Sequence, residues 1–372
     1  MVFMHKNVSI CLNMIVKNEA SVIKRCLSSV KPLIDYWVIA DTGSDDGTQD
    51  IIREFMKDIP GELMERPWVD FSYNRNEVLR QSKGKGDFLL FIDGDEWLDI
   101  SDAFEMPDFS KDCYVASVRV SNGSVYQRVL LINNHIPWEW RGVLHEDICP
   151  DRINGYEFLK GLVNVSNTAD GFRSSDPKKY QKDAAVLKAA FDKEPDNCRY
   201  AYYLAQCYEE GRDYELALNM FRKRAVMKDG WAEEVFYSYY KIAQLERALN
   251  YPPSQFIKSY ARAYESRPTR AEPLYHLADY YLTVEDPFHA YLISKFALTI
   301  PRCTDCMLVE HPIYDFGILL QFAQSAALLE KYHEAYNAFQ KLLASPKTPE
   351  EVKLWIRNRL PSISSKKMTS AW

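Results

Sequence analysis

Nowhere in its 372 residues does the chain carry an unbroken apolar run of the about 18 residues that a membrane-crossing helix needs. No run of Lys or Arg in it suggests a membrane patch, and its net charge is -6. That balance excludes non-specific attraction to nucleic acid or to an anionic membrane, so any recognition of phosphate has to be local. The opening Met1 to Asn7 is too polar and too short to act as a secretory signal, and the expectation is a soluble cytoplasmic protein with no integral membrane segment. The eight cysteines, at 11, 26, 113, 149, 198, 207, 303 and 306, lack the spacing of a disulfide framework. Several lie inside apolar stretches, as buried free thiols do. Cys303-Thr-Asp-Cys306 is a single CxxC with no second pair, so it reads as two loop thiols and not as a zinc site.

What the chain does have is core-forming material: 47% of its residues are hydrophobic and 13% aromatic, enough for two globular domains. Two periodicities divide it. Val8 to Val16, Tyr36 to Ala40, Glu62 to Trp68 and Asp87 to Ile92 read as strands. Between them Glu19 to Val30, Thr48 to Lys57 and Asn74 to Ser82 have helical spacing. This alternation predicts a largely parallel sheet with right-handed crossovers, extended by strands at Cys113 to Val120, Gln127 to Ile132 and Gly161 to Val165. From about residue 175 the pattern is helical and repeats itself. Small residues at 205, 243, 278 and 323 are 38, 35 and 45 apart, near the about 34-residue period of a tetratricopeptide array, with an insertion at 301–316.

The most informative segment is Asp87-Phe-Leu-Leu-Phe-Ile-Asp-Gly-Asp-Glu96, an apolar strand that stops on carboxylates at Asp93, Asp95 and Glu96. A strand ending this way puts them at the carboxyl edge of the sheet, where ligands of open α/β folds bind. Carboxylates are the hard oxygen donors that a divalent cation carrying a diphosphate prefers. Gly94 permits a tight turn and a close approach.

Taken together, Ser9–Glu19, Val38-Ile-Ala-Asp-Thr-Gly-Ser-Asp-Asp-Gly-Thr48, Phe71-Ser-Tyr-Asn-Arg-Asn76 and Phe91-Ile-Asp-Gly-Asp-Glu96 resemble the family 2 glycosyltransferases of the GT-A fold. Trp140-Arg-Gly-Val-Leu-His-Glu146 is similar to the element that closes the catalytic domain in one subgroup. Some of its members, the sublancin-type peptide S-glycosyltransferases among them, carry tetratricopeptide repeats on the carboxyl side. The resemblance implies an α/β GT-A mixed-sheet catalytic domain over 1–172 and an all-α, tetratricopeptide-like domain over 173–372. It implies that Asn18, Glu19, Asp41, Arg75, Asp93 and Gly94 bind a nucleotide-sugar, with Asp41 on the uracil imide and Arg75 on the base or diphosphate. Asn74 stands where Ala is usual. Asp95 and His145 are the expected ligands of Mn2+ or Mg2+, and Glu146 or Asp147 the expected base for the acceptor. Trp138 and Trp140 offer flat faces for stacking on a sugar or acceptor. For several of these residues an ordinary role competes: turn capping for Asp41, the helix dipole for Glu19, core packing for the two tryptophans. Glu96 and Trp97 are read as sugar-pocket residues. Near Ser166–Phe172 the chain departs from the subgroup pattern, and Asp170 reads as a turn cap.

The function so implied is metal-dependent, inverting transfer of a hexose from a UDP-sugar to a peptide, protein or glycan partly held by the repeats, with a homodimer as a further expectation. A lipid-linked acceptor is a second enzymatic reading. The alternative of another class is an inactive GT-A/repeat adaptor that mediates protein–protein interaction.

Overall fold

The computed structural model describes residues 8–121, 125–150, 153–167, 171 and 176–369; Asp170 lies outside them. Its contacts divide the chain into two units, Met1–Gly211 and Arg212–Trp372.

Among the described residues the first unit has ten strands: β1 Ile10–Val16, β2 Tyr36–Asp41, β3 Gly61–Glu65, β4 Phe88–Phe91, β5 Glu96–Ile100, β6 Cys113–Val120, β7 Val125–Asn133, β8 Glu139–Arg141, β9 Asp147–Cys149 and β10 Tyr156–Ser166. Helices α1 Ile23–Val30, α2 Thr48–Phe55 and α3 Phe71–Gln81 connect the first four. Eight strands form one mixed sheet in the order β3-β2-β1-β4-β7-β6-β10-β5, and β8 and β9 form a separate hairpin. β3, β2, β1 and β4 run parallel, β7 antiparallel to both its neighbours, and β5 antiparallel to β10. After β1 the chain builds outward through β2 and β3, then returns to place β4 on the other side of β1. The gap between the carboxyl ends of β1 and β4 is therefore a topological switch point, the position at which α/β sheets open a crevice.

Alternation along β1 sets the two faces of this sheet. Ile10, Leu12 and Met14 pack with Ile23, Leu27, Ile39 and Ile52 on the side of α1 and α2. Cys11 packs with Val38, Val78, Leu79, Leu89 and Phe91 on the side of α3. Each fully buried aliphatic chain here contributes about 1.5–3 kcal/mol. α3 begins where Asp70 Oδ1 accepts from Tyr73 N at 2.7 Å, a cap that contributes about 1 kcal/mol.

The helical expectation also holds. α4 Lys179–Lys193 and α5 Cys198–Glu210 are followed by α6 Tyr214–Ala225, α7 Ala232–Ala248, α8 Pro253–Ser266, α9 Glu272–Thr283, α10 Pro287–Ala297, α11 Ile318–Leu328, α12 Tyr332–Ala344 and α13 Glu350–Thr369. Within the second unit each helix packs on the next, as in a solenoid. Ala217, Ala243, Ala278, Ala290, Ala323 and Ala335 have no exposed surface, which allows the close backbone approach that their spacing anticipates. The insertion is pinned by Arg270, whose Nη1 donates to the Met307 carbonyl at 3.0 Å, and it leads into a π-helical turn at Ile313–Gly317. The division at Gly211 differs from the expected 172/173, because α4 and α5 count with the sheet.

Candidate active site

β4 is buried throughout, and the polar groups begin immediately beyond it. Asp93 is gripped from two sides: Arg75 Nη2, from α3, donates to Oδ1 at 2.7 Å, and Arg128 Nη1, from β7, donates to Oδ2 at 3.2 Å. Arg75 Nε also donates to Glu146 Oε1 at 2.6 Å. Arg128 Nη2 donates to Glu96 Oε2, which further accepts from Asn164 Nδ2 of β10 at 2.9 Å. The result is a relay of alternating charge, Glu146, Arg75, Asp93, Arg128, Glu96, drawn from five separate parts of the fold. Burial opposes charge on Asp93, but the two guanidiniums outweigh it and hold the carboxyl well below its usual range. Burial likewise opposes charge on Arg75 and Arg128, and the neighbouring carboxylates keep both firmly protonated.

Asp95 stands outside this pairing. Its carbonyl accepts from Arg25 Nη2 at 2.8 Å, while burial, followed by the charges of Asp93 and Glu96, pushes its carboxyl up to about 6. A Cβ on Gly171 would lie 2.2 Å from Asp95 Oδ2, so only glycine fits there without displacing the carboxylate.

On the other side of the switch point, Asp41 ends β2. Its Oδ1 accepts from Gly43 N at 2.9 Å, Ser44 N at 2.8 Å and Gln49 Nε2 at 3.1 Å. Its Oδ2 is buried with no hydrogen-bond partner among the described residues. Asn18 has a left-handed backbone at φ 55, and its Oδ1 accepts from Asp45 N at 2.9 Å. Glu19 N donates to Thr48 Oγ1 at 2.9 Å, and its side chain lies against Gly94, where an added Cβ would meet Glu19 Cγ at 3.2 Å. The loops after β1, β2 and β4 thus interlock.

Residues 11–164 match the family model for glycosyl transferase family 2. This stretch is a family 2 glycosyl transferase domain. The SPbeta prophage-derived glycosyltransferase SunS of Bacillus subtilis (strain 168) is 26% identical over 237 residues, which cover 58% of this chain and 54% of that protein. A TPR repeat-containing protein of Synechococcus elongatus is 35% identical over 108 residues, 27% of this chain and 25% of that one. The chain thus spans about half the length or less of these relatives. Among solved structures, MamA covers 47% of this chain and 91% of its own at 17% identity and a TM-score of 0.37, and YrrB, a TPR protein, covers 42% and 73% at 15% and 0.33.

Before its last strand the family 2 domain carries the hairpin of β8 and β9. Asn76 clamps it, Nδ2 donating to the Trp140 carbonyl at 2.8 Å and Oδ1 accepting from Trp140 N at 2.9 Å. The Trp140 ring packs edge-on to Phe91 at 5.1 Å and carries the Arg75 guanidinium 5.0 Å from its centroid. Trp138 is buried, its Nε1 donating to the Asn133 carbonyl at 2.8 Å. Both tryptophans therefore pack in the core. Glu96, read as a sugar-pocket residue, is a buried member of the charge relay, and Trp97 lies under the Arg25 guanidinium at 4.1 Å. Asp147 opens β9, paired in register with Arg141.

His145 also has a left-handed backbone, at φ 51. Its ring stacks on Tyr203 of α5 with centroids 4.1 Å apart and planes 4° from parallel. Among the described residues no three His, Cys, Asp or Glu side chains converge as a metal-holding group. The donor chemistry nonetheless fits a hard cation: Asp95 is a hard oxygen donor whose burial and whose neighbours Asp93 and Glu96 oppose its charge, which a bound cation would offset. Mg2+ is usually held by one or two carboxylates together with substrate phosphates. Arg128, Asn164, Arg199 and Tyr203 are marked by no motif in the sequence: Arg128 follows Gln127 in the polar, half-exposed start of β7.

Proposed function

We propose that this chain is a glycosyltransferase that moves a hexose from a UDP-sugar to a peptide, protein or glycan acceptor, with Mn2+ or Mg2+ bound alongside the donor. The observation that carries the reading is the buried Asp41 Oδ2, an acceptor without a partner, on the same sheet edge as the acidic cluster that follows β4. A uracil imide N–H is a group that such an atom would take, and the interlocked loops of Asn18, Glu19 and Gly94 supply walls for the nucleotide. Asp93 is assigned to the ribose, Arg75 to the base or diphosphate, and Asp95 and His145 to the cation. When bound, the cation would offset charge on the departing diphosphate. The acceptor's proton is assigned to Glu146 or Asp147. Arg75 already occupies Oε1 of Glu146, so on that residue the role falls to Oε2. The repeats are assigned to holding the acceptor, as concave solenoids do, and the homodimer is kept as part of the same reading.

The test is a thermal-shift panel of UDP, GDP, CDP and dTDP with and without Mn2+. Ligand binding to the native state alone raises stability by about 2.7 kcal/mol at a hundredfold excess over Kd. A Mn2+-dependent shift with UDP that disappears in Asp95→Ala supports the reading. A folded protein that responds to none of the four refutes it and leaves the adaptor role.

A further inference from the structure

Helix α5 reads in the sequence as the first member of the repeat array, a surface for partners. Its contacts are of another kind. Arg199 Nε and Nη2 both donate to one atom, the carbonyl oxygen of His145, at 2.9 and 2.6 Å. One turn further along the helix, Tyr203 supplies the ring on which the His145 imidazole stacks. The Arg199 guanidinium lies 4.9 Å from that same tyrosine ring, so the two residues brace one another at i and i+4. Between them lies Tyr200, which is buried. Two residues of one helix thus hold the loop Gly142–Asp147.

This loop needs an external hold. It contains two residues with left-handed backbone, Gly142 at φ 106 and His145 at φ 51, and for a residue with a side chain that conformation persists only where the surroundings enforce it. Charge-assisted hydrogen bonds from an arginine to the carbonyl of the strained residue are such a restraint. The residue next to His145 is Glu146, tied through Arg75 to Asp93. A shift of the loop therefore moves the end of the charge relay.

We propose that Arg199 and Tyr203 are positioning residues of the active site, fixing His145 and Glu146 against the donor-site carboxylates. The first helix of the array is on this view a wall of the catalytic centre. The inference rests on the glycosyltransferase reading and adds to it two residues outside the family 2 domain.

The experiment uses the full chain and three variants, Tyr203→Leu, Tyr203→Phe and Arg199→Ala. The first readout needs no ligand. In protein labelled at histidine, with the His145 signal identified by its loss in His145→Asn, the ring proton of His145 is shifted upfield by the stacked tyrosine. It keeps that shift in Tyr203→Phe and loses it in Tyr203→Leu. The second readout is the Mn2+ concentration giving the half-maximal thermal shift with UDP. It rises about tenfold in Tyr203→Leu and Arg199→Ala, the scale seen when partners of metal ligands are removed, and stays near wild type in Tyr203→Phe. A wild-type protein without any nucleotide response overturns the glycosyltransferase reading. A wild type that responds, with Tyr203→Leu and Arg199→Ala titrating as it does, overturns the positioning role alone. So does a His145 signal that Tyr203→Leu leaves in place.

Discussion

Arg75 Nε stands 2.6 Å from Glu146 Oε1, joining a residue of α3 to one that lies 71 positions later in the chain, and both side chains are almost wholly withdrawn from water. An ion pair so buried costs more to break than it contributes when made, because the remaining charge is left without a partner.

Arg75→Met is accordingly expected to destabilise the first unit by about 3–5 kcal/mol. Adding Glu146→Leu removes the stranded carboxylate and is expected to recover much of that loss. Urea denaturation of the single and double variants measures both. Equal stability of the two would show that the pair is not the source.

Asp41 separates two roles within one side chain, since Oδ1 serves the turn and Oδ2 has no partner. Asp41→Asn retains an acceptor for the turn but presents an amide N–H where the nucleobase is proposed to donate. Melting is expected to change little, while UDP binding weakens about tenfold or more, the cost of an unmade buried hydrogen bond. Calorimetric titration with UDP and Mn2+ decides it. Asp41→Ala is expected to lose both.

Gly171→Ala places a methyl group into the space of Asp95 Oδ2 and forces the carboxylate aside. The expected outcome is a folded protein whose UDP response no longer depends on Mn2+. A normal Mn2+ titration in this variant would remove Asp95 from the cation site.

Much of this geometry is legible in the sequence, for local reasons. β4 is an apolar run bounded by charges, and Asp41 and Asn18 sit in turn-rich loops directly after strands. Strand pairing is long-range, so Arg128 and Asn164 carry no local mark of the carboxylate they share. The helix expected from Glu19 begins only at Ile23, because Asn18 turns left-handed and residues up to Val22 complete that turn. β8 and β9, three residues each, are too short for any periodicity to declare them. The alanines of the array are readable because close helix packing demands them at fixed intervals, whereas the use that α5 makes of Arg199 and Tyr203 is not periodic at all.

In the second unit His276 offers a test by pH. Burial lowers its pKa from the ordinary 6.5, with Arg247 acting in the same sense and Glu310, Asp279 and Glu272 against it. Its ring stacks on Tyr260 at 5.8 Å. As pH falls through 6.5 the unfolded chain gains a proton on this ring that the folded chain does not, so stability drops with acidification and is unaffected well above 6.5. The slope is at most about 1.4 kcal/mol per pH unit. His276→Gln is expected to flatten the difference between melts at pH 7.5 and 5.5.

Because the loop of Gly142–Asp147 is braced by α5, the natural seam for recombining this protein lies inside the helical array and not at the margin of the sheet. An ancestor could lengthen, shorten or exchange the helices beyond Gly211 and inherit the donor chemistry intact. A crossover at the last strand would instead have severed the brace, so α4 and α5 travel with the enzyme.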